Sequence, residues 1–167
     1  MLTEIRRTGW GESMGEHVEQ INQSEHVGQS EQIIELNLSF KYENESEAAL
    51  KDVRGSVSRG KCVVLCGGSG CGKSTLLRCI NRLIPQFYEG ELKGFCMLCG
   101  KDISKRAIGE TGELAASVFQ DPRSQFFTMN SSTEVAFGLE NFGATHEQMV
   151  KRVELAFSSF HLERLKD

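Results

Sequence analysis

One short glycine-rich run constrains the fold of this chain more than any other stretch. In the pattern G-x-x-x-x-G-K-[ST], backbone N–H groups surround the phosphates of a nucleotide. The run that fits it consists of Gly67, Gly68, Ser69, Gly70, Cys71, Gly72, Lys73, Ser74 and Thr75. In such a loop we expect Lys73 to reach the β- and γ-phosphates and the Ser74 hydroxyl to be a ligand of Mg²⁺. The run therefore predicts a nucleotide site made of these residues.

The sequence on either side of the run has the order that such a loop requires. Residues 61–66 form a short apolar run of the kind found in buried strands, and residues 74–83 place apolar side chains at helical spacing. Strand, glycine loop and helix in this order predict an α/β fold with a P-loop core, a parallel sheet flanked by helices. An ordinary glycine-rich turn between two elements is the alternative.

The length and charge of the chain limit the classes of protein to which it can belong. With 167 residues, the chain has the size of one domain with a substantial core. Its net charge of −4 and its pI of about 5.6 argue against a general nucleic-acid surface. No run approaches the ~20 apolar residues of a membrane span, and the N-terminus lacks the apolar segment of a signal peptide. We therefore expect a cytoplasmic protein with no nucleic-acid partner.

The cysteines are consistent with a reducing compartment. Four of the six lie in or around the predicted strand, loop and helix, where disulfides would distort the site: Cys62, Cys66, Cys71 and Cys79. Cys96 and Cys99 have C-x-x-C spacing, but no second Cys or His pair stands at zinc-finger distance. Reduced, packed thiols are the expected state, and a metal or redox role for this pair is the alternative.

The chain divides by composition into a tail and a domain. Residues 1–30 are polar and poor in aliphatic side chains, which predicts a flexible N-terminal tail. Trp10, Met14, Val18 and Ile21 recur near helical spacing, so a docking helix in this tail is the alternative. Residues 31–167 form the predicted domain.

Strands and helices follow one another within that domain. Residues 33–40 and 49–57 predict two strands that form a small antiparallel layer, residues 91–101 another strand, and residues 114–119 a buried one. Two capping boxes, Ser131 with Glu134 and Thr145 with Gln148, predict helices running to Phe142 and Phe160. The region from about residue 118 to 167 is therefore expected to be a helical subdomain.

Residues 33–167 resemble the first half of an ABC-transporter ATPase. Beside the glycine loop, the resemblance rests on residues 118–127 (VFQDPRSQFF) and 134–141 (EVAFGLEN). This stretch is similar to the ATPase subunits of energy-coupling-factor (ECF) importers, the cobalt, nickel and vitamin uptake family. The resemblance implies a subunit that binds ATP and Mg²⁺ and couples ATP binding and hydrolysis to solute uptake.

The resemblance also implies further site residues and partners. Gln120 matches the glutamine that contacts Mg²⁺ and the attacking water, and Tyr42 matches an aromatic residue that stacks on adenine. The implied partners are a transmembrane coupling subunit, a substrate-binding membrane subunit and a second ATPase subunit or domain. The chain is then expected on the inner face of the cell membrane, as a peripheral subunit.

Several motifs of the family have no counterpart here. The signature motif, the Walker B strand with its acids and the switch histidine are absent from the sequence, which ends at Asp167. We therefore expect a truncated domain that binds Mg·ATP with little or no turnover. Three alternatives stay open: a non-catalytic ATP-binding fragment, a decayed gene product, and a GTPase or kinase in which Asp121 is the metal-binding acid.

Overall fold

The structure, a computed structural model, describes residues 2–5 and 31–166. The chain forms two compact units, Met1–Val118 and Phe119–Asp167. The elements of the first unit are β1 (Leu2–Ile5), β2 (Gln32–Tyr42), β3 (Leu50–Ser58), α1 (Lys73–Ile80), α2 (Leu83–Gln86), β4 (Gly90–Leu98), β5 (Lys101–Asp102), α3 (Ile108–Gly112) and β6 (Ala115–Val118). Those of the second unit are α4 (Ser131–Asn141) and α5 (His146–Ser159). Short 3₁₀ turns cover Ile103–Lys105, Pro122–Gln125 and Glu163–Leu165.

A four-stranded antiparallel sheet, in the order β3-β2-β4-β5, organises the first unit. In β2, buried Leu36, Leu38 and Phe40 alternate with more exposed neighbours, because successive side chains of a strand point to opposite faces. The three strands predicted over residues 33–40, 49–57 and 91–101 are confirmed, and the first two pair with each other as expected.

The core of this unit lies where the sheet meets α1 and the segment after it. Phe40 and Ile84 are each fully buried, and Leu98 is fully buried on β4. The other members are Leu36, Leu38, Leu50, Cys79, Ile80, Cys96, Ile103, Leu114 and Ala115. Since Cys79 and Ile80 come from the last turn of α1, the core fixes this helix against the sheet.

The strand predicted over residues 61–66 is wrong. This segment has no regular secondary structure and is exposed along its whole length; Val63 and Val64 are 57% and 76% exposed. A buried parallel strand needs paired neighbours, and none of the described strands runs beside this segment. All pairings among the described residues are antiparallel.

The strand predicted over residues 114–119 is present as β6, but the prediction that it is buried is wrong: within β6 only Ala115 is buried, and Ala116 and Val118 are exposed. β6 pairs antiparallel with β1, from Leu2 opposite Val118 to Ile5 opposite Ala115. The sequence had placed residues 2–5 in the N-terminal tail and had given them no strand. The other predictions for the tail, including the helix through Trp10 and Ile21, lie outside the described residues.

The two predicted helices of the second unit are present as α4 and α5, which pack against each other. The capping box of α5 is confirmed: the Thr145 hydroxyl accepts from the Gln148 backbone N–H, and the Gln148 side chain accepts from that of Thr145. The box predicted for α4 is wrong, because Asn130 is the N-cap and Glu134 therefore lies one position too far along. The Glu134 carboxylate instead accepts hydrogen bonds from the preceding turn.

Among the helices of residues 2–5 and 31–166, none is both long and apolar enough to span a membrane.

Candidate functional site

Backbone conformations that favour glycine shape the loop at residues 67–72. Gly70 and Gly72 have φ values of 80° and 91°, which side-chain-bearing residues rarely adopt. A Cβ atom on Gly72 would lie 2.8 Å from the Ala49 carbonyl oxygen and 2.9 Å from Leu50 Cδ2. Gly72 is also the N-cap of α1, so its lack of a side chain lets the helix begin against β3.

Lys73 closes the loop from the first position of α1. Its ammonium group donates hydrogen bonds to the Gly67 carbonyl at 2.9 Å and to the Gly68 carbonyl at 2.7 Å, and it lies 3.4 Å from Cys71 Sγ. A full positive charge therefore lies inside the loop, next to the positive end of the helix dipole. This combination of a cation, a helix N-terminus and left-handed glycines suits a polyphosphate anion.

Ser74 and Thr75 have different surroundings on the next two positions of α1. Ser74 is exposed, so its hydroxyl group is accessible to a metal ion. Thr75 is only 7% exposed, and its hydroxyl oxygen lies 3.1 Å from that of Tyr42. The two adjacent hydroxyl groups thus have separate roles, one facing solvent and one joined to the sheet.

Tyr42 ends β2 and is half-buried. Its ring lies edge-to-face on Phe40, with centroids 4.7 Å apart and an interplanar angle of 80°. It also lines an open cavity of about 640 Å³ together with Lys41, Glu43, Pro85, Glu89, Gly90 and Glu91. Tyr42 is therefore in contact with both the phosphate-loop helix and a cavity of ligand size.

This cavity is not where the phosphates would bind. None of the residues 67–75 lines it, and Glu43, Glu89 and Glu91 place carboxylates around it that would repel a triphosphate. The loop around Lys73, which presents a positive charge, suits phosphates better than this cavity does.

Gln120 belongs to the second unit and is exposed two residues beyond β6. Its predicted contacts with metal and water stay predictions. Asp121, the acid of the alternative metal site, accepts a hydrogen bond from the Arg123 backbone N–H at 3.1 Å and caps the turn at Pro122–Gln125.

The first unit brings together the predicted residues Tyr42, Lys73, Ser74, Thr75 and the loop glycines, and it adds Arg78, which the sequence did not reveal. The Arg78 guanidinium lies over the Tyr88 ring, 4.3 Å from its centroid, and its NH1 atom is 3.5 Å from the Tyr42 hydroxyl. Arg78 is three positions after Thr75 on α1, hence on the same helix face. That spacing is the signal that could have identified it.

All six cysteines are free thiols. Cys79 and Cys96 are buried, and desolvation raises the pKa of each thiol to about 12; the neighbouring Cys96 adds to the effect on Cys79, and Asp102 adds to that on Cys96. Cys62, Cys66 and Cys71 are exposed. Within the described part of the chain, no three His, Cys, Asp or Glu side chains are grouped so as to hold a metal ion.

Comparison with known proteins identifies the family. A family model described as "ABC transporter" matches residues 50–167. This chain belongs to the ABC transporter family. A Treponema denticola protein with the provisional name ABC transporter ATP-binding protein is 40% identical over 131 residues, which are 78% of this chain and 27% of that protein. A Bacillus subtilis protein, provisionally named an HMP/thiamine import ATP-binding protein, is 36% identical over 131 residues, 78% of this chain and 24% of its own length.

A solved structure supports the same family. CbiO1 from Clostridium perfringens, described as part of the ABC transporter complex cbiONQ, superposes with a TM-score of 0.67 at 30% identity. The match covers 82% of this chain and 53% of CbiO1. The predicted P-loop ABC ATPase fold is thus confirmed, and the chain spans about a quarter of the two relatives' lengths and about half of CbiO1. ABC ATPase domains bind ATP, which agrees with the loop around Lys73.

Proposed function

We propose that this chain binds Mg·ATP as the ATP-binding subunit of an ECF-type importer. The observation that carries the proposal is the position of the Lys73 ammonium, held by the Gly67 and Gly68 carbonyls at the N-terminus of α1. The similarity to CbiO1, which is part of a transporter complex, supports the ECF type.

Different residues are proposed to bind the phosphates, the metal ion and the base. The backbone N–H groups of residues 67–75 hold the phosphates, while Lys73 neutralises their charge. The Ser74 hydroxyl and the Gln120 amide are the proposed ligands of Mg²⁺, an ion that screens the charge of the phosphate oxygens when bound. The Tyr42 ring stacks on the adenine base, which accounts for a share of the affinity of about 1–3 kcal/mol.

The proposed partners are membrane subunits. A transmembrane coupling subunit and a substrate-binding subunit would place the chain on the inner face of the cell membrane, with a second ATPase subunit or domain beside it. The support comes from relatives: one is named for HMP/thiamine import and another is part of a transporter complex. In this assembly, ATP binding and hydrolysis drive solute uptake.

For the 167-residue polypeptide alone, we propose ATP binding with little or no hydrolysis. Phosphoryl transfer in P-loop enzymes needs an acid that positions Mg²⁺ and a group that orients water. The sequence contains Gln120 for the second role but no apolar strand ending in Asp-Glu for the first.

A titration with a fluorescent adenine nucleotide and Mg²⁺ tests the proposal. We expect saturable binding by the purified chain, and binding about 10- to 100-fold weaker for Lys73→Ala, because a charge-assisted contact worth ~1.5–3 kcal/mol is lost. Lys101→Ala, which removes an exposed lysine from β5, is the matched control and should bind as the parent does. Equal affinity of the parent and Lys73→Ala would contradict the phosphate site. Rapid, Lys73-dependent phosphate release would contradict the proposed lack of turnover.

A further inference from the structure

Arg78 connects three elements of the first unit through its guanidinium group. The arginine is on α1, Tyr42 ends β2, and Tyr88 lies between α2 and β4. The face of the guanidinium covers the Tyr88 ring at 4.3 Å, and NH1 reaches the Tyr42 hydroxyl at 3.5 Å. Because Arg78 is half-buried, these contacts restrict its side chain more than a surface arginine is restricted.

Hydrogen bonds connect the polar groups of Arg78, Tyr42 and Thr75. An arginine can only donate, so the Tyr42 oxygen accepts from Arg78. The Tyr42 and Thr75 hydroxyl oxygens lie 3.1 Å apart and share a second hydrogen bond, in which either group can donate. The result is a chain from Arg78 through Tyr42 to Thr75 that begins and ends on α1, the helix that carries Lys73.

We infer that Arg78 is a positioning residue for nucleotide binding, acting through Tyr42. By holding the hydroxyl at one end of the ring, Arg78 fixes the position of the ring axis, and the edge-to-face contact with Phe40 sets the ring plane on which the base is to stack. The inference rests on the proposed function, since it takes Tyr42 as the base contact. Its physical basis is preorganisation: a ring already held in place loses less conformational freedom when the base binds.

The same geometry argues against a direct phosphate contact by Arg78. Its guanidinium face is covered by Tyr88 and its NH1 atom is directed at Tyr42. Lys73, in contrast, is held inside the loop. A loss of Arg78 should therefore weaken the recognition of the base and leave that of the phosphates unchanged.

Two ligands distinguish an effect on base recognition from an effect on phosphate recognition. Calorimetric dissociation constants are measured for Mg·ATP and for Mg·tripolyphosphate, which has the phosphates but no base. We expect Arg78→Met to weaken ATP binding about 5- to 10-fold, a change of ~1–1.4 kcal/mol, and tripolyphosphate binding less than twofold. Tyr42→Phe keeps the ring and removes the hydroxyl, so it should weaken ATP binding to the same extent. Adding Arg78→Met to Tyr42→Phe should then have little further effect.

A second arginine provides the control for an effect on folding alone. Arg82 donates to the carbonyls of Arg106 and Ser104 in the same unit, and neither of these hydrogen bonds involves Tyr42. Arg82→Met should lower thermal stability while leaving the ratio of the two dissociation constants unchanged.

The outcomes are distinguishable. If Arg78→Met weakens both ligands equally, or neither, the positioning role is wrong while ATP binding stands. If Tyr42→Phe binds ATP as the parent does, the hydroxyl has no such role and the inference is again wrong. If the parent chain binds neither ATP nor tripolyphosphate, the proposed function itself fails.

Discussion

The hydroxyl groups of Tyr42 and Thr75 lie 3.1 Å apart, although 33 positions separate the two residues in the sequence. This contact joins the end of the central strand β2 to the first turn of α1. Both side chains are at least half-buried, so water competes only weakly for their hydrogen-bonding groups. The sheet and the phosphate-loop helix are thereby coupled at the position where the proposed nucleotide site begins.

The coupling can be measured as a free energy of unfolding. Tyr42→Phe and Thr75→Val should each lower it by about 0.5–1.5 kcal/mol, and the double variant should lower it by less than the sum. Urea unfolding followed by circular dichroism gives the values. Thr75→Ser, which keeps the hydroxyl group, is the control. Strictly additive losses would show that the two hydroxyl groups do not interact in solution.

The loop conformation predicts a large effect for one added methyl group. Gly72→Ala should lower the free energy of unfolding by at least about 2 kcal/mol, because it combines left-handed strain with contacts on Ala49 and Leu50 that are too close. Gly138→Ala is the opposite case: a Cβ at this position of α4 meets nothing within 4 Å. It should stabilise the chain by about 0.5–1 kcal/mol. Both values come from urea unfolding.

The thiols should react in two classes. With pKa values of about 12, Cys79 and Cys96 are almost entirely protonated at neutral pH, and their burial keeps reagents away. Iodoacetamide should modify Cys62, Cys66 and Cys71 first, as read by peptide mass spectrometry, and Mg·ATP should protect Cys71. Rapid native-state labelling of Cys79 would contradict its position in the core.

The same two thiols predict how stability depends on alkaline pH. Their folded-state pKa values lie above the usual ~8.5 of a free cysteine, so the unfolded chain loses these protons first. Their contribution to stability is complete below about pH 8.5 and decreases as the pH rises toward 12. Cys79→Ala should therefore reduce the decrease of the unfolding free energy with rising pH, measured by urea unfolding between neutral and alkaline pH. If this pH dependence is unchanged in both Cys79→Ala and Cys96→Ala, the prediction is contradicted.

Glu134 should make the second unit sensitive to acid. Backbone and hydroxyl hydrogen bonds from Thr128, together with the Phe127 N–H, hold the pKa of this carboxyl below its usual value. A lowered folded-state pKa gives a stabilisation that is complete above the unfolded value of ~4.3 and is lost as the pH falls through the folded one. The protection factor of the Thr128 amide, which is the intrinsic exchange rate at a given pH divided by the observed rate, should therefore decrease at low pH. Glu134→Gln should show weaker protection at neutral pH, whereas Glu140→Gln, on the exposed face of α4, should not.

The sequence predicted those elements that depend on local signals. The alternation in β2 and the capping box at Thr145 each act over a few residues, and the structure contains both. At α4 the same kind of signal was misread by one position, since Asn130 and Ser131 are both acceptable caps and only the backbone conformation decides between them. For the site, the spacing of the loop pattern alone predicted Lys73, and the structure places its ammonium group on the Gly67 and Gly68 carbonyls.

What the sequence did not predict depends on contacts distant in the chain. Residues 61–66 have the composition of a buried strand, but pairing partners decide whether a strand forms. The pairing of β1 with β6 joins segments more than a hundred residues apart, which no local pattern reveals. The spacing of Arg78 from Thr75 indicates a shared helix face, but its contact with Tyr42 joins residues 36 positions apart, which the spacing does not reveal.

The exposed valines at positions 63 and 64 have a practical consequence for work with the purified polypeptide. A short, β-prone segment with a single charge at its start can pair side by side with the same segment of further copies. We expect association through this segment, rather than melting of the core, to limit the usable concentration and storage time of a preparation.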